Sequence, residues 1–203
     1  MARKMITKFE SQTYELLEGT KLHPIVELFF EFAQLKNLYR QGWLEEGRDV
    51  SRLHGESVAD HSFGVALLGY FIAEEYRKDL DSLKVMKLGL FHEFGEIRGG
   101  DMTPSDDILQ EEKTNIERAA VLNSLSALPN YGEYLDIWED FEYGKSPEAI
   151  FVKQVDRLEM ALQANLYELV GYKSLDAFFP YVQGKLESPE LKEIFNEILK
   201  VRK

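Results

Sequence analysis

Pro147-Glu148-Ala149-Ile150-Phe151-Val152-Lys153-Gln154-Val155-Asp156-Arg157-Leu158-Glu159-Met160-Ala161-Leu162 decides the fold class of this chain. Ile150, Val152, Val155, Leu158 and Leu162 recur at the spacing of a helix with one buried face. Pro147 stands at the first helical position, where its missing N–H costs nothing. The helix is predicted to run to about Val170. Asp156 lies inside the apolar pattern. Aspartate is a poor helix-interior residue and costly to bury, so it calls for a partner. Arg157 or Lys153 can supply one as a salt bridge, and a metal ion can supply one equally well. The spacing leaves both open.

Outward from this helix, the same periodicity fills most of the chain. His23-Pro24 opens an amphipathic helix with Val26, Phe29, Phe30, Leu35 and Leu38 on its apolar face. Tyr39 and Arg40 can still belong to it. Glycines 42 and 47 then frame a loop reaching about Gly55. Helices are predicted from Glu56 or Ser57 to about Arg77, from Asp81 to Ile97, from Leu109 to Leu128 and from Glu133 to Tyr143. Two shorter ones cover 174–183 and 189–201, and another short one is expected over Phe9–Leu17. No stretch alternates apolar and polar over six or more residues. The expected fold is all-α, with little or no sheet, in a single domain over 1–203.

The 203 residues suit one domain, and 44% hydrophobic against 30% charged residues suits a chain with a real core. Wholesale disorder is excluded. The longest apolar run, Val65–Ala73, falls far short of the ~20 residues that span a bilayer, so no membrane partner is expected. With no cysteine, disulfide frameworks, thiolate metal sites and cysteine nucleophiles are excluded. The basic N-terminus is followed by polar residues and does not read as a signal peptide, so a cytoplasmic location is expected. The formal charge of −12 repels polyanions, and no nucleic-acid polymer is expected as a partner. A small phosphorylated ligand stays open, because one arginine or a bound cation reverses the field inside a cleft.

The four histidines are His23, His54, His61 and His92. His61 follows Asp60 in the first turn of its helix. His92 precedes Glu93 and follows the apolar run Leu88-Gly89-Leu90-Phe91, at a buried or half-buried level. A buried imidazole needs partners for both nitrogens, which a core carbonyl or a metal can provide. His92 and Glu96 are four residues apart on one helix face. Glu93 lies about 100° around from His92, and Asp101 follows Gly99-Gly100. Three acids close together repel one another unless a cation lies among them. A solvated acidic helix end is the alternative in so acidic a chain. His54 reads as an exposed loop residue and His23 as a helix boundary.

Together these residues resemble the HD-domain metal-dependent phosphohydrolases, and more narrowly their 5′-deoxynucleotidase branch. The signature there is a histidine on one helix, a His-Asp pair on the next and a distant aspartate on a later helix. Here these are His61, His92-Glu93 and Asp156. The surrounding words match in the same order: Leu35-Lys36 with Arg40 and Gly42-Trp43, Glu56 to Ser62, His92 to Glu96, Gly100 to Pro104, and Glu148 to Asp156 followed by Glu159-Met160. The resemblance spans about 25–170, leaving 1–20 and 174–203 as peripheral helices. One position departs: the family's aspartate is Glu93 here. Glutamate is also a hard oxygen ligand, one methylene longer. It is compatible with retained activity, altered metal preference, lowered activity or binding without hydrolysis.

The resemblance implies a helical bundle with a divalent metal on His61, His92, Glu93 and Asp156, a donor set suited to Mn²⁺, Co²⁺, Fe²⁺, Ni²⁺ or Zn²⁺. It implies release of phosphate from 5′-deoxynucleoside monophosphates by metal-activated water. Glu96 would orient or deprotonate that water, Arg40 would hold the phosphate with its planar fork, and Asp101 would meet the sugar 3′-hydroxyl. Trp43 either stacks on the base or packs in the core. Lys153 and Glu159 either support the site or are ordinary neighbours of Asp156. A helix-packed homodimer is also implied, in line with 13 Phe and 10 Tyr in one small chain. Two other functions stay open. A hydrolase of a di-, tri- or hyper-phosphorylated nucleotide would call for a denser basic cluster, to which only Arg48 and Arg52 in the nearby loop contribute. A non-catalytic nucleotide- or metal-binding module is motivated by Glu93 and opposed by Glu96.

Overall fold

The computed structural model describes residues 5–45, 49–103 and 106–202; Gly47 and Arg48 of the first loop and Pro104 fall outside them. Among the described residues the chain folds as α1 (Pro24–Asn37), α2 (Val58–Tyr76), α3 (Ser82–Phe91), α4 (Glu96–Gly99), α5 (Gln110–Leu125), α6 (Tyr131–Tyr143), α7 (Pro147–Leu169), α8 (Phe178–Gln183) and α9 (Pro189–Val201). No strand forms among these residues, and extended pairing is limited to two isolated bridges, Thr7 with Leu38 and Tyr39 with Ser57. None of these helices is long and apolar enough to cross a membrane.

Local chemistry sets the helix starts. His23 caps α1 by accepting the Ile25 N–H, with Pro24 just inside. Ser57 and Asp60 form a capping box on α2, each side chain satisfying the other's backbone N–H. Ser146 accepts the Ala149 N–H at the start of α7, again with proline at the first position. The long α7 runs through the larger apolar cluster, where Phe151, Val155 and Leu158 meet Val65 of α2, Val85 of α3 and Leu191 of α9. A second cluster gathers Leu35 of α1, Val58, Ile97, Val121 of α5 and Trp138 of α6.

Three expectations are corrected. The segment around Phe9–Leu17 is not a helix; only Thr13–Glu15 makes a 3₁₀ turn. The Thr13 N–H and hydroxyl bond to Gln34 and Phe30 of α1 instead, so side chains satisfy a backbone that a lone short helix would leave frayed. Next, α1 ends at Asn37, and Tyr39-Arg40 is extended: Tyr39 N–H donates to Ile6 O at 3.0 Å and Arg40 N–H to Glu56 O at 3.1 Å. Arg40 therefore projects from a pinned segment between two neighbours. Finally, the helix expected over Asp81–Ile97 is broken at His92–Gly95. The His92 imidazole Nδ1–H donates to the Gly89 carbonyl at 2.8 Å, and Phe94 and Glu96 bond to carbonyls three residues back. A side chain competing for a ladder carbonyl tightens the turn to about three residues per turn, so His92 and Glu96 no longer share a face at α-helical spacing.

One close approach places the site. A Cβ on Gly89 would lie 2.7 Å from Ala66 Cα, so α2 and α3 cross with no side chain between them. His92, three residues after that crossing, is thereby brought against His61 on α2.

Candidate metal centre

His61 from α2, His92 from the end of α3 and Asp156 from α7 converge in the interior. Their donor atoms lie within 4.8 Å of one another, and all three residues are buried. The two Nε2 atoms face each other at 3.4 Å, and His61 Nε2 is 3.2 Å from Asp156 Oδ1. Glu93 reaches the same place: its Oε1 is 3.4 Å from His92 Nε2 and 3.6 Å from His61 Nε2. Each imidazole is anchored through its other nitrogen, His92 on the Gly89 carbonyl and His61 on Glu159 Oε2 at 2.6 Å. Such anchoring turns both Nε2 atoms toward a shared ligand. Asp156 divides its carboxylate. Oδ1 faces the cluster and Oδ2 takes Arg157 Nη1 at 3.5 Å, so the salt bridge and the cluster are both present.

Around this core sit the other expected residues. Arg40 Nη1 donates to Glu93 Oε1 at 2.8 Å and lies 3.9 Å from Asp101 Oδ1. Asp101 accepts the Gln41 backbone N–H, and its carbonyl accepts the Gln41 side-chain amide at 2.6 Å. Gln41 thus ties the Asp101 loop to the segment carrying Arg40. Glu96 is buried beside them, and its Oε2 has no hydrogen-bond partner.

The electrostatics favour a cation. Burial and Arg40 disfavour a charged His61, yet Glu159 and Asp156 outweigh them and push its pKa up to about 10. The anionic partners of His61 thus favour positive charge at this point, which a metal ion would supply. Despite burial, His92, Arg40 and His61 hold Glu93 well below the usual carboxylate range. Burial is likewise overcome at Asp156 by Arg157, His61 and His92. Glu96 goes the other way: burial, Glu93 and Asp101 hold it well above its ordinary value. Two imidazoles, two ionised carboxylates and an orphaned buried carboxyl oxygen fit a divalent transition metal with room for water.

Two expectations separate here. Glu159 is a direct support of His61, whereas Lys153 is spent elsewhere, on the Glu142 carbonyl at 3.0 Å and over the Phe141 ring. Trp43 takes the packing alternative. It is 2% exposed, lies against Tyr167 and Phe178, and donates its indole N–H to Glu56 at 2.7 Å, so it offers no face to a base. Trp43→Phe is expected to cost about 1–3 kcal/mol of stability in urea unfolding, because the half-buried Glu56 carboxyl loses its donor. A nucleotide KM that rose while stability held would contradict this placement. His54 pairs with Tyr172 on an exposed surface, apart from the cluster.

Sequence reasoning did not single out Gln41, or the pairing of Glu56 with the site. Burial and Glu159 push Glu56 up to about 7. Lys113 of α5 was also missed; its Nζ reaches the Met102 carbonyl at 3.4 Å and Glu117 at 3.4 Å. The only available signal was a lysine within an acidic helix, which normally marks solvent.

A family profile described as HD domain matches residues 32–199. The 5′-deoxynucleotidase HDDC2 of Dictyostelium discoideum is 33% identical over 190 residues, covering 88% of this chain and 98% of that protein. The human 5′-deoxynucleotidase HDDC2 is 36% identical over 170 residues, covering 82% of this chain and 80% of its own. The crystal structure of the PH0347 protein from Pyrococcus horikoshii superposes with a TM-score of 0.71 at 30% identity, covering 87% of this chain and 99% of that one.

Proposed function

Because the chain belongs to the HD-domain family, we propose that it is a metal-dependent phosphohydrolase releasing phosphate from 5′-deoxynucleoside monophosphates. The observation that carries this reading is the convergence of His61, His92 and Asp156 within 4.8 Å, beside Arg40 and the unpartnered oxygen of Glu96. Its 5′-deoxynucleotidase relatives supply the substrate class.

His61, His92, Glu93 and Asp156 would hold the cation. When bound, it supplies a Lewis acid that polarises phosphoryl oxygens and acidifies water. Arg40 receives the phosphate; its guanidinium, half-buried between Glu93 and Asp101, is fixed in charge and direction. Glu96 accepts a proton from the incoming water through Oε2. Water adds to phosphorus, the P–O5′ bond breaks, and the departing nucleoside oxygen takes up the proton that Glu96 accepted. Asp101, tied to Gln41, faces the sugar hydroxyls. The cytoplasm is the assigned location, testable by fractionation.

The chain is further read as a homodimer. Phe63, Leu67 and Phe71 on α2 recur every four residues and are 60%, 37% and 59% exposed, an apolar stripe that a second copy would cover. Leu67→Glu with Phe71→Glu is expected to halve the mass measured by light scattering. An unchanged mass would remove α2 from the interface.

The deciding experiment uses metal-stripped protein refilled separately with Mn²⁺, Co²⁺, Mg²⁺ and Zn²⁺, assayed for phosphate release from deoxy- and ribonucleoside 5′-monophosphates. Metal-dependent release from the deoxy series is expected. Silence across that panel, with release from a nucleoside triphosphate, would replace the monophosphate reading.

A further inference from the structure

We propose that Glu159 is a positioning residue for the metal centre and that Gly64 is kept free of a side chain to seat it. Glu159 lies on α7 one turn beyond Asp156, and His61 and Gly64 lie almost one turn apart on α2. The Glu159 carboxylate fills the gap between the two helices. Its Oε2 is 2.6 Å from His61 Nδ1, with both residues buried. Its Oε1 lies where a side chain on Gly64 would be: a Cβ there would sit 2.7 Å from Oε1 and 3.3 Å from the carboxyl carbon.

Glycine inside a helix is destabilising relative to alanine, and α2 bears that cost beside this carboxylate. An alanine at 64 would leave the helix intact and displace the flexible end of Glu159. The two imidazoles are therefore anchored unequally: His92 leans on a neutral carbonyl and His61 on a charged carboxylate. A carboxylate partner fixes the tautomer with Nε2 facing the cation and makes that nitrogen the stronger donor. Glu159 acts through His61 and touches no substrate. The inference rests on His61 being a ligand and holds whichever phosphate ester is hydrolysed.

The test is Co²⁺ titration of metal-stripped full-length protein, read by visible absorption, with unfolding of the metal-free proteins followed in parallel. Glu159→Gln and Gly64→Ala are each expected to weaken Co²⁺ about 10–100-fold and to shift the Co²⁺ spectrum. The double variant is expected to be no weaker than Glu159→Gln alone, because both changes break one bond. Glu159→Asp in the Gly64→Ala background, with a shorter side chain that relieves the crowding, is expected to recover part of the affinity. Unaltered affinity in Glu159→Gln overturns the proposal, and fully additive losses overturn the role of Gly64. His61→Ala serves as the reference. If it too leaves Co²⁺ binding intact, the ligand reading itself has failed, and with it this inference.

Discussion

His92→Ala is expected to weaken divalent-cation binding by more than about 100-fold, since loss of supporting contacts alone costs 10–100-fold. Phosphate release should fall to background with it. The imidazole contributes Nε2 to the cluster at 3.4 Å from His61 Nε2. The variant also frees the Gly89 carbonyl, so its metal-free fold must be checked separately. In the parent protein, a cation at 100 times its Kd should add about 2.7 kcal/mol of stability, which for this size raises Tm by roughly 5–10 °C. That increment should vanish in His92→Ala, measured against the variant's own metal-free Tm. A variant that keeps the cation-dependent rise in Tm would place the metal elsewhere.

Glu96→Gln is expected to lower kcat by about 10²–10⁴-fold while leaving KM and cation affinity near the parent values. Glutamine keeps the size and shape of this buried side chain, so folding should be undisturbed. What it lacks is the capacity to accept a proton at the oxygen that has no partner in the protein. Co²⁺ titration and steady-state kinetics together decide. A parallel fall in cation affinity would make Glu96 a metal ligand and leave the proton acceptor unassigned.

Glu93 bears on both results. Its Oε1 touches Arg40 at 2.8 Å while facing both imidazoles, so one oxygen links the Arg40 guanidinium to the histidine pair. The added methylene has therefore not carried the carboxylate out of the cluster.

Much of this was legible from residue order. The period of Ile150, Val155, Leu158 and Leu162 specified α7, and Pro147 after Ser146 specified where it begins, because helix periodicity and capping are local chemistry. The candidate donors His61, His92-Glu93 and Asp156 came together through the resemblance to the HD-domain family, because spacing alone left Asp156 open between a salt bridge and a metal. Where local reasoning failed, a longer-range contact had outbid it. The Phe9–Leu17 segment gave up helix for bonds to Gln34 and Phe30, and the helix expected through Ile97 was interrupted when His92 took the Gly89 carbonyl. Trp43 had two admissible environments, and only the packing of Tyr167 and Phe178 around it chose the core.

The sequence by itself determined the all-α class, most helix starts, and which imidazoles and carboxylates were available for chemistry. Tertiary structure alone decided that Asp156 serves both Arg157 and the cluster, that Glu159 rather than Lys153 supports it, and that Gln41 ties Asp101 to Arg40. The reason is geometric. Periodicity states which residues share a face of one helix, but the distance between atoms on two helices depends on how closely the helices cross. Here that closeness is set by contacts such as Gly89 against the backbone of Ala66.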